Sequence, residues 1–141
     1  MVEGRSIARW ALINFGGNVE QQSNVGKLIM GLAQRCAQLG ISLSRSTIVD
    51  PHFEQMKILE NPNILEAKMR KIYDSATRNL DILMCVIERK HIRYVELKRI
   101  CETGIGFVTQ CYLYSNFYHI TPQYLAKLAL NINAKIGGST L

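Results

Sequence analysis

The feature that most constrains the fold is an alternation of short apolar runs with longer helical patterns. Residues 80–87 (LDILMCVI) form the most hydrophobic run and predict a strand at the centre of a sheet. Residues 8–15 (ARWALINF) and residues 106–112 predict two more buried strands. Residues 41–49 predict a weaker strand, which a turn at Pro51 and an irregular segment follow.

Four segments between these runs have the period of an amphipathic helix. In the first, apolar side chains form one stripe, and Gly40 stands where helices commonly end in a left-handed residue. In the last, Thr121 is the predicted N-cap and Pro122 the first helical residue. The predicted helices span residues 25–39, 63–76, 93–102 and 122–136.

Alternating strands and helices favour an α/β fold with a central, mainly parallel sheet of about four strands and helices on both faces. A chain of 141 residues fits one such domain. Ligands of these sheets bind beyond the carboxyl ends of the strands. Because the two strongest strands end at Ile87 and Tyr112, the sequence predicts a ligand site formed by residues 88–92 and by the segment after Gln110.

The charge of the chain indicates an anionic partner. Seventeen basic residues against 11 acidic ones leave a net charge of +6. The excess lies in the second part of the chain, because residues 1–60 have a balance of +1 and residues 61–141 a balance of +5. A basic run at residues 88–99 begins at the predicted ligand-facing loop.

Composition excludes several other classes of protein. Cys36, Cys85, Cys101 and Cys111 show no CxxC spacing, which argues against a structural zinc site. Unpaired cysteines in apolar runs are typical of a reducing compartment, so we expect the protein in the cytoplasm or the nucleus. No apolar stretch approaches the ~20 residues that a membrane span needs, and we expect no membrane partner.

Catalytic and cofactor motifs are missing from the sequence. It contains no GxGxxG fingerprint, no phosphate-binding GxxxxGK[ST] loop, no HExxH and no GxSxG. The pattern places Asp81 inside a strand, and Glu96 and Glu102 on one short helix, so it predicts no pair of carboxylates for a two-metal nuclease. We therefore expect neither catalysis nor a cofactor.

Two helical spacings fit the binding of an anion. Tyr94 and Lys98 are four residues apart, and so are Asn131 and Lys135, which places each pair on one helix face. Gln110 adds an amide donor at a strand end. Together they could hold a phosphate while the ring stacks on a base. On spacing alone, the preferred interpretation is a half-buried ring beside ordinary surface lysines.

Three stretches of the chain resemble a known family. They are ARWALINF, YVELKRICETGIGFVTQC and TPQYLAKLALNINAKIGG, at residues 8–15, 94–111 and 121–138. They resemble the MID domain of eukaryotic Argonaute proteins, and their amino-acid sequence is most similar to that of plant members. Residues 18–79 match only in their order of strands and helices. The resemblance implies a Rossmann-like RNA-binding module that anchors the 5′ end of a guide small RNA in RNA silencing and is not itself catalytic.

The resemblance also implies roles for individual residues. Tyr94 would stack on the first base, while Lys98, Gln110 and Lys135 would bind the 5′ phosphate with help from the backbone N–H of Cys111. Asn131 departs from the family, which commonly has a lysine there, so we expect a pocket with one positive charge fewer and weaker anchoring. The loop that reads the first nucleotide would consist of Glu88, Arg89, Lys90, His91 and Ile92.

The resemblance further implies partners and boundaries. The expected partners are a 5′-phosphorylated small RNA and the PIWI and other domains of the same parent protein. Residues 1–141 would form one MID-like domain, in which residues 137–141 begin the connection to a PIWI domain that this chain lacks. Two other interpretations remain open at this point: a regulatory domain that binds a free nucleotide or another phosphorylated metabolite, and a protein-interaction domain with a basic face.

Overall fold

A computed structural model describes residues 2–3, 6–15, 19–44, 47, 51–87, 93–113, 120–136 and 139–140. The strands in these ranges are β1 (Val2–Glu3), β2 (Ser6–Ile7), β3 (Trp10–Asn14), β4 (Ser42–Leu43), β5 (His52–Phe53), β6 (Ile82–Ile87), β7 (Val108–Leu113) and β8 (Ser139–Thr140). The α-helices are α1 (Val19–Gln38), α2 (Pro62–Ser75), α3 (Tyr94–Arg99) and α4 (Pro122–Lys135). A 3₁₀ helix spans Met56–Glu60, and a π-helical segment, Ile100–Ile105, continues α3.

The main sheet has four parallel strands in the order β5, β3, β6, β7. Met84 in β6 pairs with Leu12 of β3 on one side and with Gln110 of β7 on the other. Two small sheets lie apart from it: β1 with β8, antiparallel, and β2 with β4, parallel. The predicted α/β fold with about four parallel strands is therefore confirmed.

Helices cover both faces of the main sheet and form two cores. Helices α1 and α4 pack on one face, and α2, α3 and the π-helical segment pack on the other. Side chains of β6 alternate between the cores: Ile82, Met84 and Val86 face the first, and Leu83, Cys85 and Ile87 face the second. All six are buried, which explains why this run is apolar without the alternation of a half-exposed strand.

The weaker strand predicted for residues 41–49 is wrong in its extent and in its place. Among the described residues of this range, only Ser42–Leu43 is extended, and it pairs with β2 outside the main sheet. The outer strand of the main sheet is His52–Phe53, from the segment predicted to be irregular. A strand of two half-buried residues has too few positions to show a period, so no pattern could have indicated it.

Asp81 does not lie inside a strand, as the sequence pattern predicted, because β6 begins one residue later, at Ile82. Its backbone and side chain instead join the bend before β6 to Arg9, just ahead of β3. The Arg9 backbone N–H donates to Asp81 Oδ2 at 3.2 Å, and the Asp81 N–H donates to the Arg9 carbonyl at 2.6 Å. Asp81 thus belongs to the amino edge of the sheet, away from the predicted ligand site.

The Arg9 guanidinium holds the turn that follows α2. Its Nε donates to the carbonyl of Asn79 at 2.7 Å, and its Nη2 donates to the carbonyl of Ala76 at 2.5 Å and to Thr77 Oγ1 at 2.9 Å. Thr77 and Arg78 have φ angles of 56° and 55°, a left-handed conformation that costs energy in residues with a side chain. We call this arrangement the Arg9 clamp, since its charged donors stabilise a strained turn.

The predicted ends of the helices are mostly confirmed. Helix α1 begins at Val19 rather than at residue 25, and Gly40 follows it with a φ of 80°, as its predicted role requires. Thr121 caps α4, because its side chain accepts a hydrogen bond from the Tyr124 N–H at 3.1 Å. Within the described ranges, no helix is both long and apolar enough to cross a membrane.

Candidate functional site

Two adjoining cavities lie along β7, beside α3 and α4, and reach the carboxyl edge of the main sheet. The smaller, of about 260 Å³, is called the lysine cavity and is lined by Tyr94, Val95, Lys98, Thr109, Gln110, Cys111 and Lys135. The larger, of about 410 Å³, is called the tyrosine cavity and is lined by Ile87, Tyr94, Gln110, Cys111, Tyr112, Leu113, Tyr124, Lys127, Leu128 and Asn131. The tyrosine cavity thus lies at the predicted sheet edge, because it is lined by Ile87 and Leu113, the last residues of β6 and β7. The prediction that Gln110 stands at a strand end is wrong: it is the third of six residues in β7, so the lysine cavity lies against the first half of that strand.

Helix α3 brings Tyr94 and Lys98 to the lysine cavity together. They are one helical turn apart and line the same space, as their spacing predicted. Glu96 and Arg99 pair with each other, since Arg99 Nε donates to Glu96 Oε2 at 3.2 Å. Because Glu96 binds Arg99, its carboxylate does not compete for Lys98.

Helix α4 brings a second cation to the same cavity. Lys135, in its last turn, is half-buried, and its side chain lines the lysine cavity together with that of Lys98. Burial, followed by the charge of Lys98, lowers the pKa of Lys135 below the ordinary lysine value. Two like charges therefore share one cavity, in which burial acts against the charge of Lys135.

Asn131 does not share this cavity with Lys135, although the helical spacing placed the two on one face. It lines the tyrosine cavity and is exposed. The two cavities share the wall formed by Gln110 and Cys111. Asn131 therefore contacts the tyrosine cavity and not the lysine cavity, which Lys98 and Lys135 line.

The π-helical segment places a carboxylate beside the lysines. Glu102 Oε2 accepts hydrogen bonds from the Thr109 backbone N–H at 3.2 Å and from Thr109 Oγ1 at 2.8 Å. The same oxygen lies 4.0 Å from Lys135 Nζ. Sequence reasoning gave Glu102 no role, but its position four residues after Lys98 was a signal that it faces the same way.

Cys111 belongs to a group of thiols under the floor of the lysine cavity. It pairs in register with the buried Cys85, whose thiol hydrogen-bonds to it. That hydrogen bond, helped by the charges of Lys135 and Lys98, lowers the pKa of Cys111 against the effect of burial. The same bond, together with burial, raises the pKa of Cys85, and burial raises that of Cys101.

Two buried phenol groups face the tyrosine cavity. Among the described residues, the hydroxyls of Tyr94 and Tyr112 have no hydrogen-bond partner, and burial raises the pKa of both well above the ordinary tyrosine value. Both phenols therefore stay neutral donors at physiological pH. An apolar cavity with a few polar groups suits a flat ring system that carries its own hydrogen-bonding atoms.

Comparison with known proteins identifies the family. The Piwi-domain family model matches residues 82–141. Over 141 residues the chain is 51% identical to protein argonaute 7 of Oryza sativa subsp. japonica, and over 137 residues it is 47% identical to protein argonaute 7 of Arabidopsis thaliana. The chain belongs to the Argonaute family. The matches cover 100% and 97% of it, and it spans 14% of the length of each relative.

Solved structures identify the part of an Argonaute protein to which this chain corresponds. The crystal structure of the Arabidopsis thaliana AGO5 MID domain superposes with a TM-score of 0.79 at 25% identity and covers 100% of this chain and 97% of that one. The N. crassa QDE-2 AGO MID domain has the same fold, with a TM-score of 0.74, 18% identity and coverage of 94% and 100%. The predicted resemblance to a MID domain is thus confirmed.

Part of the predicted site of this Argonaute domain lies outside the described residues. Glu88, Arg89, Lys90, His91 and Ile92 belong to that part, so their role in reading the first nucleotide stays a prediction. In the part of the chain that the structure describes, no three His, Cys, Asp or Glu side chains group together in a way that could hold a metal ion. The described site is therefore built from ammonium, amide, phenol and thiol groups beside one carboxylate.

Proposed function

We propose that this Argonaute domain anchors the 5′ phosphate and the first nucleotide of a guide small RNA, such as a miRNA or siRNA, in RNA silencing. The observation that carries the proposal is that Lys98 and Lys135 line one cavity beside β7. Membership of the Argonaute family supports it.

A phosphate suits this cavity because it would relieve an existing repulsion. Burial and the charge of Lys98 disfavour the charged form of Lys135, and a dianion between the two ammonium groups would oppose that effect. Gln110 offers an amide donor in the same wall. Charge-assisted hydrogen bonds to a phosphate are about twice as strong as neutral ones, so the lysines would supply most of the affinity.

The first nucleotide fits the adjoining space. Tyr94 lines both cavities, so its ring stands between the proposed phosphate position and the tyrosine cavity. Stacking of a base on an aromatic ring contributes about 1–3 kcal/mol and depends little on which base it is. We therefore assign stacking to Tyr94 and leave the choice of base to other groups.

The test uses two short RNAs of one sequence, one with a 5′ phosphate and one with a 5′ hydroxyl, in a fluorescence-anisotropy titration. We expect the phosphorylated RNA to bind more tightly, with a steep dependence on salt. Tyr94→Ala and Lys98→Ala should each weaken its binding, whereas Lys71→Ala should not, because Lys71 is exposed on α2 away from both cavities. Equal affinity for the two RNAs would contradict the proposal.

A second candidate is the binding of a free nucleotide, which two adjoining cavities of these sizes also favour. Titrating the four nucleoside monophosphates beside the phosphorylated RNA separates the candidates. Guide binding requires RNA to bind more tightly than any monophosphate, since further phosphates of the chain meet the basic surface. The same titration measures which first base is preferred.

We assign binding rather than cleavage to this domain, in keeping with its match to isolated MID domains. The PIWI and other domains of an Argonaute parent would then be its neighbours in the same protein. Incubation of labelled RNA with the domain and a divalent cation should leave the RNA intact on a denaturing gel. Cleavage that follows the domain through purification would contradict this assignment.

A further inference from the structure

Glu102 holds its position beside the lysines through Thr109 rather than through the lysines. Thr109 is buried and gives Glu102 Oε2 two hydrogen bonds, at 3.2 Å and 2.8 Å, while Lys135 Nζ is 4.0 Å away. The carboxylate is thus anchored to β7, and its contact with Lys135 is long for an ion pair. If Lys135 turns toward a ligand, the carboxylate stays in place.

The backbone around Glu102 opposes its withdrawal. The N–H groups of Gly106 and Phe107 both donate to the carbonyl of Cys101, at 2.7 Å and 2.9 Å. Gly106 has a φ of 111°, which only glycine adopts without strain, so the π-helical segment ends at a defined point before β7. Moving the Glu102 backbone away would break these bonds, and turning its side chain alone would break those from Thr109.

We propose that Glu102 is a fixed counter-charge that stabilises the empty lysine cavity and limits its affinity for phosphate. The inference rests on the proposed function and deepens it, because it concerns how tightly the same site holds its ligand. In the empty cavity the carboxylate offsets the repulsion between Lys98 and Lys135. Once a phosphate dianion fills that role, the carboxylate remains nearby and repels it.

The test is Glu102→Gln, which keeps an oxygen that can accept from Thr109 and removes the charge. We expect the 5′-phosphorylated RNA to bind about three- to tenfold more tightly, the size of one screened unit charge at a partly exposed site. Affinity for the 5′-hydroxyl RNA should change less than about twofold, because it places no dianion in the cavity. Glu66→Gln, an equal change of charge at an exposed pair on α2, is the matched control.

A second variant should change the affinity for phosphorylated RNA in the opposite direction. Thr109→Val removes the hydroxyl that holds Glu102 Oε2, so the carboxylate can approach Lys135 and compete with the phosphate. We expect about two- to fivefold weaker binding of the phosphorylated RNA and little change for the hydroxyl RNA. Thermal unfolding will show whether Glu102→Gln folds. If it does not, Thr109→Val tests the role of Glu102 in its place.

The outcomes separate the two proposals. If the unaltered domain does not distinguish the two RNAs, the proposed function fails whatever Glu102 does. If it distinguishes them but folded Glu102→Gln binds the phosphorylated RNA no more tightly, Glu102 is a structural latch only and the inference is overturned. The inference is equally overturned if Thr109→Val, tested in its place, leaves binding unchanged or tighter.

Discussion

Charged side chains at the two edges of the main sheet differ in the groups that surround them. At the amino edge, the Arg9 guanidinium is paired with two carbonyls and a hydroxyl at hydrogen-bonding distance. Beside β7 and toward the carboxyl edge, Lys98 and Lys135 line one cavity, and among the described residues the buried Tyr94 hydroxyl has no partner. The guanidinium of the amino edge is thus hydrogen-bonded within the chain, whereas the charge of Lys98 acts against that of Lys135.

This difference separates the stability of the domain from its binding. Hydrogen bonds from a charged donor contribute about 1.5–3 kcal/mol to folding when the partner is internal, whereas like charges brought together cost energy. We expect changes at the amino edge to move the free energy of unfolding alone. Removing Lys98 at the carboxyl edge should lower ligand affinity and leave folding unchanged or slightly improved.

The largest expected effect is that of Lys98→Ala on binding. Loss of one charge-assisted contact should weaken the 5′-phosphorylated RNA by about 2–3 kcal/mol, or roughly 30- to 150-fold, in the anisotropy titration. The free energy of unfolding should stay the same or rise, because Lys135 loses the neighbour that disfavours its charge. A variant that unfolds more easily and binds normally would erase the contrast between the edges.

Arg9→Ala should have the next largest effect, and on stability rather than binding. The turn that holds Thr77 and Arg78 in left-handed conformations loses its charged donors. We expect about 2 kcal/mol of destabilisation in urea unfolding, less than three full hydrogen bonds because the clamp is partly exposed. The ratio of affinities for phosphorylated and hydroxyl RNA should not change, and a change in that ratio would contradict the separation.

Asn131→Lys should sharpen the contrast by adding charge to the carboxyl edge. A lysine here restores the residue that the family commonly carries, and its side chain reaches the wall shared by the two cavities. We expect about 1–2 kcal/mol tighter binding of the phosphorylated RNA, close to tenfold. If binding does not tighten, the absence of a positive charge at Asn131 does not limit the affinity for phosphorylated RNA.

The smallest expected effects are those of pH. Below about pH 6 a phosphate monoester loses its second charge, so binding should weaken as the solution becomes more acid. On the alkaline side, the lowered pKa of Lys135 means that its charge disappears before that of an ordinary lysine, so binding should weaken earlier than lysine chemistry alone predicts.

Titrations from pH 5 to pH 10 with the domain and with Lys135→Arg measure both limbs of this profile. Because the arginine keeps its charge, the alkaline loss of binding should shift to higher pH, and the acid loss of binding should stay where it is. A profile that is flat on the acid side would argue against a dianion in the lysine cavity.

Sequence alone predicted the elements that have strong periods or clear caps. The apolar run of β6, the stripe of α1 and the cap at Thr121 needed only local chemistry. The outer strand His52–Phe53 was missed because its pairing with β3 depends on the tertiary arrangement and not on its own two residues. Asp81 was wrongly predicted to lie inside a strand, because its partner Arg9 is 72 residues away in the sequence and local pattern cannot reveal their contact.

The site was predicted in part for the same reasons. Helical spacing correctly joined Tyr94 to Lys98, and strand order brought Gln110 to the same cavity. The spacing of Asn131 and Lys135 did not reveal that the two line different cavities. Glu102 was assigned to an ordinary short helix, because no pattern indicates that α3 continues as a π-helical segment up to Ile105.

That π-helical segment makes the chain between Lys98 and Gln110 a fixed spacer. A π-helical turn holds about one residue more than an α-helical turn, and it often arises where one residue has been inserted into a helix. Deleting Ile100 or Cys101 would restore an α-helix and rotate the residues after the deletion by about 100°. Lys98 would keep its place while Glu102 turned away from Thr109, so we expect related chains to tolerate substitutions here far better than changes of length.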